Sequence, residues 1–338
     1  MILNIIGKSN GVGLTRDIDV LSTALRKDGH EVRVTCIDGG EAHRRRSRWA
    51  QLRTRWRLRF GKPSRETALV DANLMLEHIW SQYLPQARCN VVMPNPEWFD
   101  AHDRRMLPLV DVVWAKTRNT SRVFGACHPH VVHIGFDSED RLDAAIPRQP
   151  AFFHLAGKSS MKGTDRMLRV WARHPEWPTL TLIQHSREDH SAEIATGNIE
   201  LHAGHIDDAE LRRLQNSHEF HLCLSTSEGW GHYIVEALSI GAVTVTVDAP
   251  PMNELVTAER GMLVPSMTTG RQKLATTFFF DELQFERVID SLLKSTPAQR
   301  QSLRDNSRRW YLENKHSFAQ QLQTAVYALP LAGPRTQG

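Results

Sequence analysis

The amino-acid sequence predicts an α/β protein made of two successive doubly wound halves, each a parallel sheet flanked by helices. Apolar runs of strand length alternate with helical stretches along most of the chain, which is the pattern of βαβ units and therefore of parallel sheets. The alternation is interrupted from Asp137 to Pro150, where charge together with Pro147 and Pro150 breaks the apolar periodicity. A chain of 338 residues is also long for a single core, so two domains of roughly 150 residues each are expected.

The chain opens on the strand-like Ile2-Leu3-Asn4-Ile5-Ile6, followed by a glycine-rich turn and a helical stretch from Arg16 to Asp28. Further strands of the first half are expected near residues 31–36, 73–78, 90–93, 110–115 and 130–134, with Arg118 to Gly125 helical. In the second half, strands near 151–155, 179–183, 199–202, 220–224 and 243–247 alternate with helices near 164–173, 207–216 and 233–240. Asp281 to Thr296 and Pro297 to Leu312 read as helices without obvious chemistry, and Pro330 to Gly338 as a frayed tail.

Cys36, Cys89, Cys127 and Cys223 lie far apart with no Cys-x-x-Cys pair, which argues against a zinc site or a disulfide framework and for a reducing compartment. No apolar run approaches the length of about 18 residues that spans a bilayer, and Met1 leads directly into a strand. A cytoplasmic protein is expected, soluble or peripheral at the inner face of a membrane.

A net charge of +4 is modest, but its distribution is not. Between Arg44 and Arg65 nearly every second residue is basic and none is acidic, while Trp49, Leu52, Trp56 and Phe60 fall on one stripe of a helix that Gly61 and Pro63 would end. Such a helix can dock on the protein's own sheet, lie in an anionic membrane interface or track nucleic-acid phosphates. The sequence leaves all three open.

The most informative segment is Ser227-Glu228-Gly229-Trp230-Gly231-His232-Tyr233-Ile234-Val235-Glu236-Ala237-Leu238. Phe220 to Leu224 reads as a buried strand, Ser225 to Gly231 as a turn, Tyr233 to Ile240 as a helix and Thr244 to Val247 as the next strand. Glu228 then stands at a strand's carboxyl end, where ligands bind in open parallel sheets, and Glu236 two turns into the helix. Gly229 and Gly231 let backbone approach a ligand closely, and the helix N-terminus favours negative charge. Glu236 can accept two hydrogen bonds from a vicinal diol such as ribose, and Glu228 can do the same for sugar hydroxyls. The plainer alternative is a solvated loop glutamate and an exposed helical one.

A second glycine-rich turn, Gly7 to Gly13, follows the first strand and precedes a helix, the context in which backbone amides around Gly11 and Gly13 can cradle phosphate. Nicotinamide-dinucleotide binding, with Asp38 as the ribose acid, fits less well because the third glycine needed for close helix packing is missing. The acidic triplet Asp17-Ile18-Asp19 sits inside the predicted helix and is assigned to chance.

Glu228 and Glu236 with seven residues between them, followed by Ala-Leu, a glycine and a β-rich strand, resemble the signature of retaining glycosyltransferases of the GT-B fold, especially glycosyltransferase family 4. The stretch Phe152-Phe153-His154-Leu155-Ala156-Gly157-Lys158 with Lys162-Gly163-Thr164-Asp165 resembles the elements that open the C-terminal domain of that family. The resemblance covers most of residues 151–265, and the N-terminal half only in outline. It implies two Rossmann-like domains with an interdomain cleft: an acceptor-binding domain over residues 1–140, a nucleotide-sugar-binding domain over 141–312, and a C-terminal segment 313–338 whose helix crosses back to the first.

It further implies transfer of a sugar from a nucleotide-sugar donor to an acceptor hydroxyl with retention, by front-face attack in which the departing phosphate helps take the acceptor proton. No metal and no cofactor are expected. Gly157, Lys158 and Lys162 would hold the diphosphate, with Glu236 on the ribose and Glu228 on the donor sugar. The Gly11 and Gly13 loop would face the donor from the other domain. Fixed cations stabilise the charge that grows on the leaving group more than they stabilise the ground state. A lysine stands at 158 where the family more often has arginine.

Acceptor-side groups are expected at strand ends of the first domain, with Glu77, Asn95 and Glu97 so placed. Many relatives have a histidine near Asn95; here only His78 and His102 are nearby, and both read more simply as structural. Lys116 ends a further strand, where phosphate or acceptor contact competes with a role in starting a helix. The acceptor can be a glycan, a lipid-linked sugar or a nucleic acid. Two other classes remain: a same-fold epimerase or phosphorylase, and a nucleic-acid-binding protein whose transferase fold is vestigial.

Overall fold

The computed structural model describes residues 1–9, 11, 13–37, 52, 67–185 and 197–331. The predicted basic helix between Arg44 and Arg65 lies outside the described residues apart from Leu52, as do Asp38 and the tail from residue 332. The chain divides into two compact units, one of Met1–Asp137, Gln272–Ala275 and His316–Gly338, the other of Ser138–Arg271 and Thr276–Lys315.

In the first unit β1 (Ile2–Gly7), β2 (Glu31–Cys36), β3 (Val70–Leu76), β4 (Ala87–Met93), β5 (Val112–Ala115) and β6 (Val131–His133) form one sheet in the order β2-β1-β3-β4-β5-β6. Every pairing is parallel, and β1, β3 and β4 are buried along nearly their whole length, as strands covered on both faces must be. Helix α1 (Gly13–Lys27) buries Leu14, Ile18, Leu21 and Leu25, spaced to form one stripe, and ends on Arg26 and Lys27, which suit the negative end of its dipole. Two short helices follow, α2 (Ala101–Met106) and α3 (Arg118–Gly125).

A row of polar side chains runs through this otherwise apolar sheet. Thr35 donates to Asn4 at 2.9 Å, Asn4 to Asn73 at 3.2 Å, and Asn73 to Asn90 at 2.9 Å, so that four adjacent strands are joined side chain to side chain. Asn4 and Asn73 are register partners, as are Asn73 and Asn90. A one-residue slip would leave these buried amides without their partners, so the row fixes the register.

The second unit holds β7 (Gln149–Gly157), β8 (Leu180–Gln184), β9 (Ile199–Ala203), β10 (His218–Cys223), β11 (Val243–Val247) and β12 (Gly261–Val264), all parallel, in the order β12-β11-β10-β7-β8-β9. Helices α4 (Thr164–Trp171), α5 (Asp208–Ser217), α6 (His232–Ser239) and α7 (Met252–Leu255) connect them. Aromatic rings fill the space beside the sheet: Phe152 lies 4.8 Å from Trp171 and 4.7 Å from Phe220 between ring centroids. A two-stranded sheet of β13 (Ser266–Gln272) and β14 (Ala275–Phe280), then α8 (Glu282–Leu293) and α9 (Pro297–Tyr327), complete the chain.

Several elements differ from the sequence reading. β12 has only four residues, too short for a periodic signal, and the threonine-rich β13–β14 pair, whose first strand is mostly exposed, lacks an alternating apolar face. The helix predicted to stop at Leu312 continues to Tyr327, because no glycine or proline interrupts residues 298–329.

Asn73→Ala removes the middle of the asparagine row and strands a buried donor on Asn4 and a buried acceptor on Asn90. About 1–3 kcal/mol is expected for each stranded group, seen as a lower urea midpoint at unchanged slope.

Candidate functional site

Numbered within the second unit, β7 to β12 run in the order 3-2-1-4-5-6 across the sheet, the dinucleotide-binding order, with its reversal between β7 and β10. Chain connections leave those two strands in opposite directions, opening a crevice at their carboxyl ends. The loops that meet there are 158–163 and 224–231, and they are joined: the Thr226 amide donates to the Met161 carbonyl at 2.8 Å. Gly163 has φ +70°, and a Cβ added there would stand 2.5 Å from the Leu224 carbonyl oxygen, so only glycine lets the loops approach so closely.

Beneath this junction His154 is completely buried between the Leu222 carbonyl, 2.8 Å from Nδ1, and the Thr164 hydroxyl, 2.9 Å from Nε2. A carbonyl only accepts, so Nδ1 carries the proton and Nε2 accepts from Thr164. Burial disfavours the imidazolium and lowers the His154 pKa to about 4; the equally buried His221 is lowered to about 3 for the same reason.

Glycines in the left-handed conformation precede the two helices that start at the crevice, Gly163 before α4 and Gly231, at φ +94°, before α6; neither start has a side-chain cap. By contrast Asp100, Thr117, Asp207 and Asp281 cap α2, α3, α5 and α8 with their side chains. Two helix N-termini without side-chain caps concentrate positive potential at the place where the strand order reverses.

Lys162 adds a formal charge. Its Nζ lies 2.5 Å from Glu228 Oε1 and 3.6 Å from the centroid of the Tyr233 ring, an ion pair and a cation–π contact on one partly exposed ammonium. Ser225 Oγ donates to the same Glu228 oxygen at 2.6 Å, and the Tyr233 hydroxyl lies 2.6 Å from Ser225 Oγ. The chain therefore runs Tyr233 to Ser225 to Glu228, with burial holding the Tyr233 pKa well above its usual range. Ser225, Tyr233, His154 and Thr164 were not singled out from the sequence. Tyr233 lies five residues after Glu228, and only the tight turn at 229–231 brings its ring back beneath Lys162.

The predicted donor residues separate into two groups. Gly157, at φ +59°, ends β7; Lys158 is exposed on the following loop, and Gly229 is buried in the turn after Glu228. Glu236, expected on the ribose, is 0% exposed, and Gln215 Nε2 donates to its Oε2 at 3.1 Å. Gln215 in turn accepts from the buried Arg141 at 2.9 Å, and Arg141 reaches Asp208 at 2.7 Å. The reason is position: α6 packs into the sheet, and nearly every residue along it is buried.

In the first unit the order reverses between β1 and β3, as in flavodoxin-like sheets. In the turn after β1, the Gly11 amide donates to the Thr15 hydroxyl at 2.8 Å, and Gly13 begins α1. At the neighbouring strand ends, Asn95 Nδ2 donates to Glu77 Oε1 at 3.3 Å, and Lys116 Nζ reaches Asn95 Oδ1 at 3.3 Å and Asp17 at 2.5 Å. Asp17, set aside as chance in the sequence, is thus half of a buried ion pair. Thr117 beside Lys116 caps α3. Burial raises the Glu77 pKa, opposed by His78, Asn95 and Lys116. Glu77 also holds a left-handed backbone at φ +62°, costing a non-glycine residue about 1–3 kcal/mol.

Glu97 departs from the expected grouping: it is buried two residues beyond Asn95, where the chain turns back with the Trp98 amide on the Asn95 carbonyl. His78, Asp100 and Asp103 bring potential metal-ligand atoms within 4.8 Å of one another. Asp100 and Asp103, however, form the capping box of α2, and Asp103 also binds the Ile79 amide and His78. These bonds account for the cluster, and we assign no metal to it.

Two parallel six-stranded sheets, each with helices, give an α/β fold that matches the GT-B fold of solved structures. The sucrose-phosphate synthase of Thermosynechococcus elongatus is similar over 97% of this chain and 98% of that one, at 13% identity and a TM-score of 0.71. HepE from Anabaena, in complex with UDP-glucose, is similar over 97% of this chain and all of that one, at 14% identity and a TM-score of 0.67. The pneumococcal O-GlcNAc transferase GtfA, in complex with UDP and GlcNAc, matches 81% of this chain at 16% identity and a TM-score of 0.61, and this chain covers 59% of its length. No family model matches the sequence, and no curated protein matches it. Among the described residues no helix is long and apolar enough to cross a membrane.

Gly163→Ala is expected to force the two loops apart and to lower stability by more than about 1 kcal/mol, checked by urea unfolding. Acid has a defined effect through the buried histidines. The unfolded chain takes up their protons near pH 6.5 while the folded chain does not, so stability falls as pH drops from 6.5 toward 4. The urea midpoint followed over that range should drop less steeply in His154→Gln.

Proposed function

We propose that the protein is a nucleotide-sugar-dependent glycosyltransferase acting on an acceptor hydroxyl. The observation that carries this reading is the meeting of two helix N-termini without side-chain caps and Lys162 at the reversal of the second sheet. That arrangement suits a diphosphate.

In the free protein Glu228 neutralises Lys162. An incoming diphosphate competes for the ammonium, and Glu228, released on its Ser225 support, turns to the hydroxyls of the donor sugar. As the bond between the anomeric carbon and the phosphate breaks, its electron pair passes to the leaving phosphate, whose growing charge Lys162 and the helix ends stabilise, while the acceptor oxygen bonds to the anomeric carbon and its proton passes to that phosphate. Lys158, exposed on the same loop, is a second cation within the site. We propose that these groups serve without a metal or cofactor, and that transfer proceeds with retention, as the sequence resemblance implies. Glu236 acts from behind the site, fixing α6 through Gln215. The likeness to structures that contain UDP and UDP-glucose supports a uridine nucleotide as the first donor to examine, and we propose a glycan or lipid-linked sugar as acceptor. Contact of the Arg44 to Arg65 segment with an anionic membrane surface fits a lipid-linked acceptor.

Thermal stabilisation by UDP, GDP, ADP, CDP and dTDP tests the nucleotide site. A ligand at 100 times its Kd adds about 2.7 kcal/mol, a shift of a few degrees; no shift with any nucleotide would sink the proposal. Lys162→Met should lower turnover by about 10²–10³-fold. Glu236→Gln separates two roles: nucleotide affinity equal to wild type places Glu236 behind the site, whereas a tenfold loss restores it as a direct ribose ligand.

A further inference from the structure

At the carboxyl edge of the first sheet, six side chains from four chain segments form one polar chain: Asp17, Lys116, Asn95, Glu77, His78 and Asp103. Its ends are buried and its middle is not. Lys116 and Asp17 are 2% and 3% exposed and Asp103 is 0% exposed, whereas His78 and Glu77 keep 17% and 14% of their side-chain surface.

The orientation of the Asn95 amide in this chain is forced. Lys116 can only donate, so the oxygen of the Asn95 amide faces it and the NH2 group faces Glu77, 3.3 Å from Oε1. The Lys116 ammonium is itself fixed by Asp17 at 2.5 Å and by the Phe136 ring, 4.8 Å from its centroid. On the other side Asp103 accepts from His78 Nδ1 at 2.7 Å, which leaves Nε2 directed toward Glu77 Oε2 at 3.5 Å. Glu77 therefore presents a hydrogen-bond acceptor, Oε2, beside the His78 ring, and each of the two groups is backed by a buried partner that sets its orientation.

We infer that Glu77 and His78 hold the attacking hydroxyl of a neutral acceptor in the first unit, with Asn95, Lys116 and Asp17 as positioning residues for Glu77 and Asp103 for His78. This rests on the glycosyltransferase reading. A hydroxyl donates to Glu77 Oε2, whereas a phosphate or carboxylate at the same position would meet Glu77 with Asp17 and Asp103 behind it and one ammonium already neutralised.

Among the described residues the charged groups acting on Glu77 are His78, Lys116 and Asp17. Burial raises its pKa, while the Asn95 hydrogen bond and Lys116 lower it. The experiment uses the full chain, the nucleotide sugar of whichever nucleotide stabilises it, and water as the minimal acceptor, with nucleotide release followed against pH. Release by the wild type should fall off on the acid side at a pH above the ordinary glutamate range. Asn95→Leu should move that limb upward, and Glu77→Gln should abolish it, cutting kcat at least tenfold with donor KM unchanged. Wild-type release by Glu77→Gln, or an unmoved limb in Asn95→Leu, overturns the inference.

A second readout needs no donor: the Glu77 carboxyl titration followed by NMR. Its midpoint should rise in Asn95→Leu, and by less in the charge-neutral pair Asp17→Asn with Lys116→Met, which avoids leaving one buried charge alone. Midpoints unchanged in both refute the positioning chain even where transfer persists. If no nucleotide binds, the glycosyltransferase reading fails, while this titration still reports on the chain itself.

Discussion

The pairing of β7 with β10 is the constraint on which the second unit depends. It places strands far apart in sequence side by side and sends their following loops to the same point above the sheet. Everything chemical in that unit is a consequence of how tightly those loops can meet. Gly163 permits the approach, the Thr226 to Met161 hydrogen bond holds it, and His154 braces it from below while remaining uncharged. An apolar residue in place of His154 could fill the volume but could not satisfy both the Leu222 carbonyl and the Thr164 hydroxyl in the interior.

Charge is arranged on the same plan in both units: buried groups orient, and partly exposed groups are left to act. In the second unit the Tyr233 to Ser225 to Glu228 chain supports one carboxylate beside one ammonium. In the first, the buried Asp17–Lys116 pair orders Asn95 against Glu77. The capping pattern agrees with this division. Aspartate and threonine cap four of the other helix starts with their side chains, and glycine stands at the two starts beside the reversal of the second sheet.

Much of this was legible in the sequence. Alternating apolar runs located eleven of the twelve strands of the two sheets within three residues of their observed bounds; the other is the short edge strand β12. Glu228 and Lys162 were legible because each lies beside a glycine at a strand's end, a local pattern. The burial of Glu236 was not legible, because spacing along a helix identifies a face but not what covers it; here Gln215 and the sheet do. Asp17 was set aside because nothing within its own helix shows that Lys116, 99 residues later, would pair with it.

By itself the sequence determined the α/β class, the duplication and the local geometry of turns, because hydrophobic period and glycine placement act over a few residues at a time. Tertiary structure alone decided which polar residues meet. The partners Lys162 and Glu228 are separated by 66 residues and Asn95 and Glu77 by 18, distances over which only the strand order brings side chains together. The same order decided which carboxylates stay accessible: burial left Glu228 and Glu77 partly open to solvent and closed Glu236 and Asp17 inside, and exposure, unlike charge, is a property of the packed chain.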